Sequence, residues 1–210
     1  MLFRSGPNND GCDPESCTDV LIKDCYFDTG DDCIAIKSGR NGDGRRVNVP
    51  SSNIIIQGCE MRDGHGGVTI GSEISGSVRN VFAENCKMDS PHLDRVLRLK
   101  TNSVRGGTLE NIHLRNIEVG QVSEAIVAID FTYEEGDTGK FAPAVRNISV
   151  QNLTSKKSKY ALYLRGYERA PITDIKLTDC ILENVAKPNV TDHVQGLSLK
   201  NVRINGQIAN

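Results

Sequence analysis

One seven-residue pattern recurs down the chain and decides what it can fold into. It reads Asp19-Val-Leu-Ile-Lys-Asp-Cys25, Asn53-Ile-Ile-Ile-Gln-Gly-Cys59, Asn80-Val-Phe-Ala-Glu-Asn-Cys86, Asn111-Ile-His-Leu-Arg-Asn-Ile117, Asn147-Ile-Ser-Val-Gln-Asn-Leu153, Asp174-Ile-Lys-Leu-Thr-Asp-Cys180 and Gly196-Leu-Ser-Leu-Lys-Asn-Val202. Successive copies start about 22 to 36 residues apart, the period of a solenoid. The second and fourth places are apolar and alternate with mostly polar ones, as in a strand with one buried face. The sixth place is Asn, Asp or Gly, which tolerate left-handed backbone, so the strand turns a corner there. The seventh is apolar again.

A second run follows in most copies: Ile34 to Lys37, Val68 to Gly71, Val96 to Lys100, Ala125 to Phe131 and Ala161 to Arg165. Strand, corner, strand and loop, with no helical period between, predict an all-β chain wound as a single-stranded right-handed parallel β-helix over residues 1–210. Each coil rises roughly 4.8 Å above the last. A sandwich does not explain the column register, and the Leu-x-x-Leu-x-Leu frame of a leucine-rich horseshoe is absent. Aromatics make up 5% and Trp is missing, which is thin for a bundle or sandwich core.

A net charge of −2 gives no basis for nucleic acid or an anionic membrane as partner, and no apolar run is long enough to span a bilayer. A monomer is expected. The seven cysteines leave at least one unpaired within the chain. Cys25, Cys59, Cys86 and Cys180 fall in the inward seventh place and are expected as buried thiols. Disulfides stay open as an alternative, with Cys12 and Cys17 the candidate pair. No Cys/His spacing suggests a metal, and no cofactor is expected.

The second strands align on their inward residues, Ile34/Ile36, Val68/Ile70, Leu97/Leu99 and Val127/Ile129. Three places earlier stand Asp31, His65, Asp94 and Glu124, so Asp31 and His65 become neighbours one rung apart. With Cys12 inward on the coil below, Asp10 falls beneath Asp32. Three carboxylates then cluster beside a histidine. Like charges keep at least one carboxyl protonated. Glycoside cleavage needs one protonated acid for the leaving oxygen and one ionised base for water. Arg98 and Lys100 lie between and beyond the inward leucines and point outward, with Lys37 in the column of Lys100. Such cations suit a substrate that carries carboxylates.

Four ordered stretches, Asn8-Asn9-Asp10, Gly30-Asp31-Asp32, Gly64-His65-Gly66 and Arg98-Leu99-Lys100, resemble those of the polygalacturonases, glycoside hydrolase family 28. The resemblance implies a pectin-lyase-like solenoid and an inverting hydrolase of α-1,4-galacturonosidic bonds in pectin. It implies Asp31 as general acid, Asp10 and Asp32 as the pair that orients and deprotonates water, and His65 as a support for the acid. Arg98 and Lys100 would bind the galacturonate carboxylate, with Tyr133 one coil later and Lys37 and Asn8 as further substrate contacts. Asn9 stands where the family has Thr. The stretch Ser38 to Arg45 reads as a long loop that would wall off one end of a cleft and favour exo attack, with Arg40 or Arg45 reading a chain end.

Family members carry further coils before the first motif. The chain is therefore expected to be the C-terminal catalytic portion of a longer parent whose N-terminal coils are absent. Met1–Pro7 lack the order of a signal peptide, and the full-length parent is expected to be secreted or periplasmic. Two other functions remain: a β-helix that binds glycan without cleaving it, and a Ca²⁺-dependent pectate lyase, since a carboxylate cluster can hold Ca²⁺.

Overall fold

The computed structural model describes residues 6–209. Of the Met1–Pro7 expectation, residues 1–5 lie outside that range. The chain winds as the right-handed parallel β-helix expected of it. One sheet stacks Thr18–Lys23, Ser51–Gln57, Val78–Glu84, Thr108–Val119, Ala144–Ser155, Ile172–Leu182 and Val194–Ile204. A second, six-stranded sheet stacks Ile34–Ile36, Val68–Ile70, Arg95–Lys100, Ala125–Asp130, Tyr160–Arg165 and Val190–Asp192. The core fills the space between them.

The columns of the repeat are the register of the first sheet. Val20, Ile54, Val81, Ile112, Ile148, Ile175 and Leu197 pair in sequence up the stack, and so do Ile22, Ile56, Ala83, Leu114, Val150, Leu177 and Leu199. Each fully buried Ile or Leu in these columns contributes roughly 1.5–3 kcal/mol. The sixth place is left-handed in every copy, with φ of 52° at Asp24, 54° at Asn116 and 53° at Asn201.

The first place is left-handed too, at Asp19, Asn53, Asn80, Asn111, Asn147 and Asp174. Its side chains bond from rung to rung: Asn53 to Asp19, Asn80 to Asn53, Asn111 to Asn80 and Asn147 to Asn111. The strand Gln207–Ala209 folds back antiparallel onto Val194–Ile204 and so occupies an edge that would otherwise offer unpaired backbone groups.

Three expectations change. Cys59, Cys86 and Cys180 are buried thiols, but Cys25 is exposed, because among the described residues no rung lies beneath it. Cys12 and Cys17 are free thiols. The stretch read as a loop contains a short helix, Asn41–Val47. Tertiary contact overrides its glycine-rich composition. A Cβ on Gly44 would stand 2.5 Å from the Gly39 carbonyl, so the helix packs there only with glycine. Arg45 anchors the helix through bonds of 3.1 and 3.0 Å to the Val104 and Arg105 carbonyls and lies 3.6 Å over the Phe141 ring. Arg45 is thereby occupied, and of the two proposed chain-end readers only Arg40 is exposed.

Candidate active site

Four strands of the six-stranded sheet bury two neighbours in succession before they alternate: Cys33 and Ile34, Val96 and Leu97, Ile126 and Val127, Ala161 and Leu162. In the coil of Val68–Ile70 Gly67 takes that place, where a Cβ would meet the sulfurs of Met88 and Met61. The doubled place reverses the alternation. Asp32, Gly66, Arg95, Ala125 and Tyr160 therefore face away from the core together with Ala35, Thr69, Arg98, Ala128 and Tyr163. That reversal gives the cleft floor two outward residues per rung ahead of the Lys37, Gly71 and Lys100 column.

The acids gather as their register dictates. Cys12 bridges to Ile34, which sets Asp10 below Asp32, and the Asp32 amide donates to Asp10 Oδ1 at 3.0 Å. The His65 amide donates to the Asp31 carbonyl at 3.0 Å, and His65 Nδ1 meets Asp31 Oδ1 at 3.0 Å. One oxygen from each of Asp10, Asp31 and Asp32 lies within 4.8 Å of the other two. The glycines flanking His65 make room for this. A Cβ on Gly64 would sit 2.3 Å from the Asp31 carbonyl oxygen, and one on Gly66 would sit 2.2 Å from Thr69 Oγ1.

The three acids differ in their partners. Asp32 has its side chain 1% exposed and accepts from Thr69 Oγ1 at 2.8 Å, Arg98 Nη1 at 3.1 Å and Lys100 Nζ at 2.8 Å. Asp10, 18% exposed, accepts from Lys37 Nζ at 3.0 Å as well as from the Asp32 amide. Burial alone would raise the Asp10 pKa, but the hydrogen bond and charge of Lys37, aided by that amide, leave it below the ordinary carboxylate value. Asp31, 22% exposed, has no Lys or Arg partner among the described residues, only His65.

Lys37 also bonds Asp13 at 2.9 Å. Burial raises the Asp13 pKa; Lys37 opposes this and the neighbouring Asp10 charge adds to it. Lys37 itself is raised: burial lowers it, and its two carboxylate partners more than reverse that.

Tyr133 sits over both cations, its ring centre 5.8 Å from the Arg98 guanidinium and 5.4 Å from Lys100 Nζ. Burial, then the Glu134 charge, pushes its phenol up. Asn8 is exposed in the turn ahead of Asp10, with a left-handed backbone at φ 69°. Thr69, Asp13 and Arg105 were not among the expected site residues. Thr69 was legible, because it stands between the inward Val68 and Ile70 in the column of Arg98. Arg105 was not. Its guanidinium is fully buried and bonds Glu134, Glu135 and Asn41, tying the segment after Tyr133 to the helix.

This arrangement can hold one acid apart from two carboxylates already matched by cations. The three acids also form a donor set that a divalent ion could use. Lys37, Arg98 and Lys100 already bond Asp10 and Asp32, so an ion there would have to displace ammonium and guanidinium groups. That does not suit a Ca²⁺-dependent lyase.

The chain is similar to a hyperthermoactive exopolygalacturonase from Thermotoga maritima of known crystal structure, with a TM-score of 0.92 and 44% identity, covering 96% of this chain and 45% of that one. A probable polygalacturonase of Vitis vinifera is 28% identical over 200 residues, 91% of this chain and 40% of the relative. An endo-polygalacturonase of Pectobacterium parmentieri is 31% identical over 188 residues, 87% of this chain and 44% of the relative. The chain thus spans under half the length of these relatives. Among the described residues no helix is long and apolar enough to cross a membrane. Residues 4–205 match the family model described as glycosyl hydrolases family 28, and the match takes in every acid and cation of the cluster: the chain belongs to that family.

Proposed function

We propose that the chain carries the hydrolytic site for α-1,4-galacturonosidic bonds of pectin. The observation that carries the reading is the unequal matching of the three acids. Asp31 is the one without a Lys or Arg partner, so it is the acid that gives its proton to the glycosidic oxygen as the C–O bond breaks. Both oxygens of Asp32 and of Asp10 already accept hydrogen bonds. That engagement argues against either as a covalent nucleophile and for a water between them. The water oxygen bonds to the anomeric carbon, and its proton passes to the Asp10–Asp32 pair. The 4.8 Å spread of the three oxygens is shorter than the ~6.5–9.5 Å usual for inverting pairs, so inversion rests here on the occupied oxygens. His65 orients Asp31 through Nδ1.

Arg98 shows only Nη1 on Asp32, which leaves the rest of its fork for a galacturonate carboxylate. Lys100, Tyr133, Lys37 and Asn8 complete the contacts with the sugar beside the cut. Exo attack is favoured over endo. We read the helix Asn41–Val47, tied to the segment after Tyr133 by the Arg105 bonds, as a wall at one end of the site, and the similar Thermotoga protein is an exopolygalacturonase. Such a reading places the protein outside the cytoplasm, secreted or periplasmic, where its pectic substrate is.

Release of reducing ends from polygalacturonate, with Asp31→Asn as control, tests the reading. Equal release by the control sinks the acid assignment. No release from any pectic substrate favours a binding-only β-helix, and an unsaturated product lost with a chelator favours a lyase. Random internal cuts across a product series sink the exo preference.

A further inference from the structure

Tyr133 lies over Arg98 and Lys100 from a turn rather than from a strand. The strand of its coil ends at Asp130. In the turn that follows, the Gly136 amide donates to the Tyr133 carbonyl at 3.2 Å and Glu134 is left-handed, with φ 50°. A surface turn holds a ring in place only where other segments tie its backbone down.

The tie comes from the segment just beyond Lys100, where Asn102 and Ser103 are fully buried. The Asn102 carboxamide has each of its four hydrogen-bonding places filled. Its Oδ1 accepts from the Val104 and Arg105 amides, each at 2.9 Å. Its Nδ2 donates to the Tyr133 carbonyl at 3.0 Å and to Glu135 Oε2 at 2.7 Å. The first two bonds shape its own turn, and the other two cross to the next coil. Ser103 holds the far side of that turn. Its hydroxyl donates to the Gly136 carbonyl at 3.1 Å and accepts from the Gly139 amide at 2.7 Å.

We propose that Asn102, with Ser103 beside it, is the positioning residue that sets Tyr133 against the sugar held by Arg98 and Lys100. The inference rests on the pectic reading above. One unbroken segment, Arg98 to Ser103, then fixes both the cations and the ring that closes over them. A ring already held loses no further freedom when the sugar arrives. The benefit is in binding, so it appears in KM and not in kcat.

The test is a double-mutant cycle of Asn102→Ser and Tyr133→Ala on polygalacturonate, with thermal unfolding to verify the fold. Serine keeps an acceptor for the Val104 and Arg105 amides and is too short to reach the Tyr133 carbonyl. Asn102→Ser is expected to raise KM about tenfold, the worth of one buried hydrogen bond, at unchanged kcat. In the Tyr133→Ala background the same substitution is expected to raise KM by less than about twofold. A residue that only stabilises the fold would cost the same in both backgrounds. Equal effects on KM, or none in the unsubstituted background, overturn the proposal. If Asn102→Ser does not fold, Ser103→Ala takes its place in the cycle, with the same dependence on Tyr133 expected and the same outcomes overturning it.

If the unsubstituted chain releases no reducing ends, the hydrolytic reading fails separately. Calorimetric titration with trigalacturonate then carries the same cycle in Kd. A loss of affinity that vanishes in Tyr133→Ala supports the positioning role, and additive losses or no binding at all overturn it.

Discussion

Lys37 stands between two carboxylates, 3.0 Å from Asp10 and 2.9 Å from Asp13, and its removal gives the sharpest test of which acid activates water. As part of the base, Asp10 acts ionised. Its pKa lies below the ordinary carboxylate value because Lys37 outweighs burial, so the rate should fall only as pH drops through that low value. Lys37→Met leaves burial in charge, and burial favours the protonated form. An opposite charge within about 4–6 Å shifts an aspartate by about 1–3 pH units. The acid limb of kcat/KM, which reports the free enzyme, should therefore move up by about that much.

Asp13→Asn should move the limb far less than Lys37→Met. It leaves Lys37 to Asp10 alone, and the Asp13 hydrogen bond is the smallest of the causes that hold the Asp10 pKa down. Stability follows the same linkage. A carboxylate with a lowered folded pKa stabilises above its unfolded pKa, and that contribution fades as pH falls through the folded pKa. The cost of Lys37→Met in an unfolding experiment is thus full near neutrality and disappears in acid. Initial rates on oligogalacturonides between about pH 3 and 8 provide the assay. A limb that stays put in both variants refutes the assignment of the base to Asp10.

Further outcomes follow from the same geometry. Asp31→Asn should lower kcat by about 10²–10⁴-fold, the usual worth of a general acid, while the unfolding midpoint barely moves, since the side chain is partly exposed and bonds only His65. Proton NMR of the first product should show an inverted anomeric centre; a retained one would mean that an Asp10 or Asp32 oxygen attacks carbon. Asn111→Ala removes a bond to Asn80 and one from Asn147 at a left-handed φ of 57°, and should cost about 1–3 kcal/mol in urea unfolding, with Asn111→Gly costing less because glycine adopts that φ freely. Arg105→Met leaves Glu134 and Glu135 without their guanidinium, but both carboxylates reach solvent, so the unfolding midpoint should fall only modestly while KM rises through the neighbouring Tyr133.

The repeat was legible because its period is written in side chains that must face inward. Val20 to Leu197 and Ile22 to Leu199 can stack only one way, and once they stack, Asp10, Asp32, Asp31 and His65 fall together whatever the lengths of the intervening loops. The doubled core place was not legible. Cys33-Ile34 and Val96-Leu97 read equally well as one inward and one outward residue, so the outward turn of Arg95 stayed hidden. The helix Asn41–Val47 was hidden for a different reason: its stability comes from Gly39, Phe141 and the Arg105 carbonyl, partners that no local pattern announces. Nor does sequence tell which acid a cation will choose. Arg98 and Lys100 were placed on the correct face, but their shared hold on Asp32 depends on that acid being buried beside Thr69.

The rung-to-rung asparagine stack has a polarity. From Asn147 down to Asn53 every carboxamide donates its N–H in one direction, and the last donates to the Asp19 carboxylate. Aligned dipoles strengthen one another, and here their positive ends all point toward a fixed negative charge. The stack therefore behaves as a wire with an anionic terminus. Its end residue differs in kind from its middle ones: a neutral Asn at position 19 would preserve the geometry and discard the charge toward which four amides are oriented.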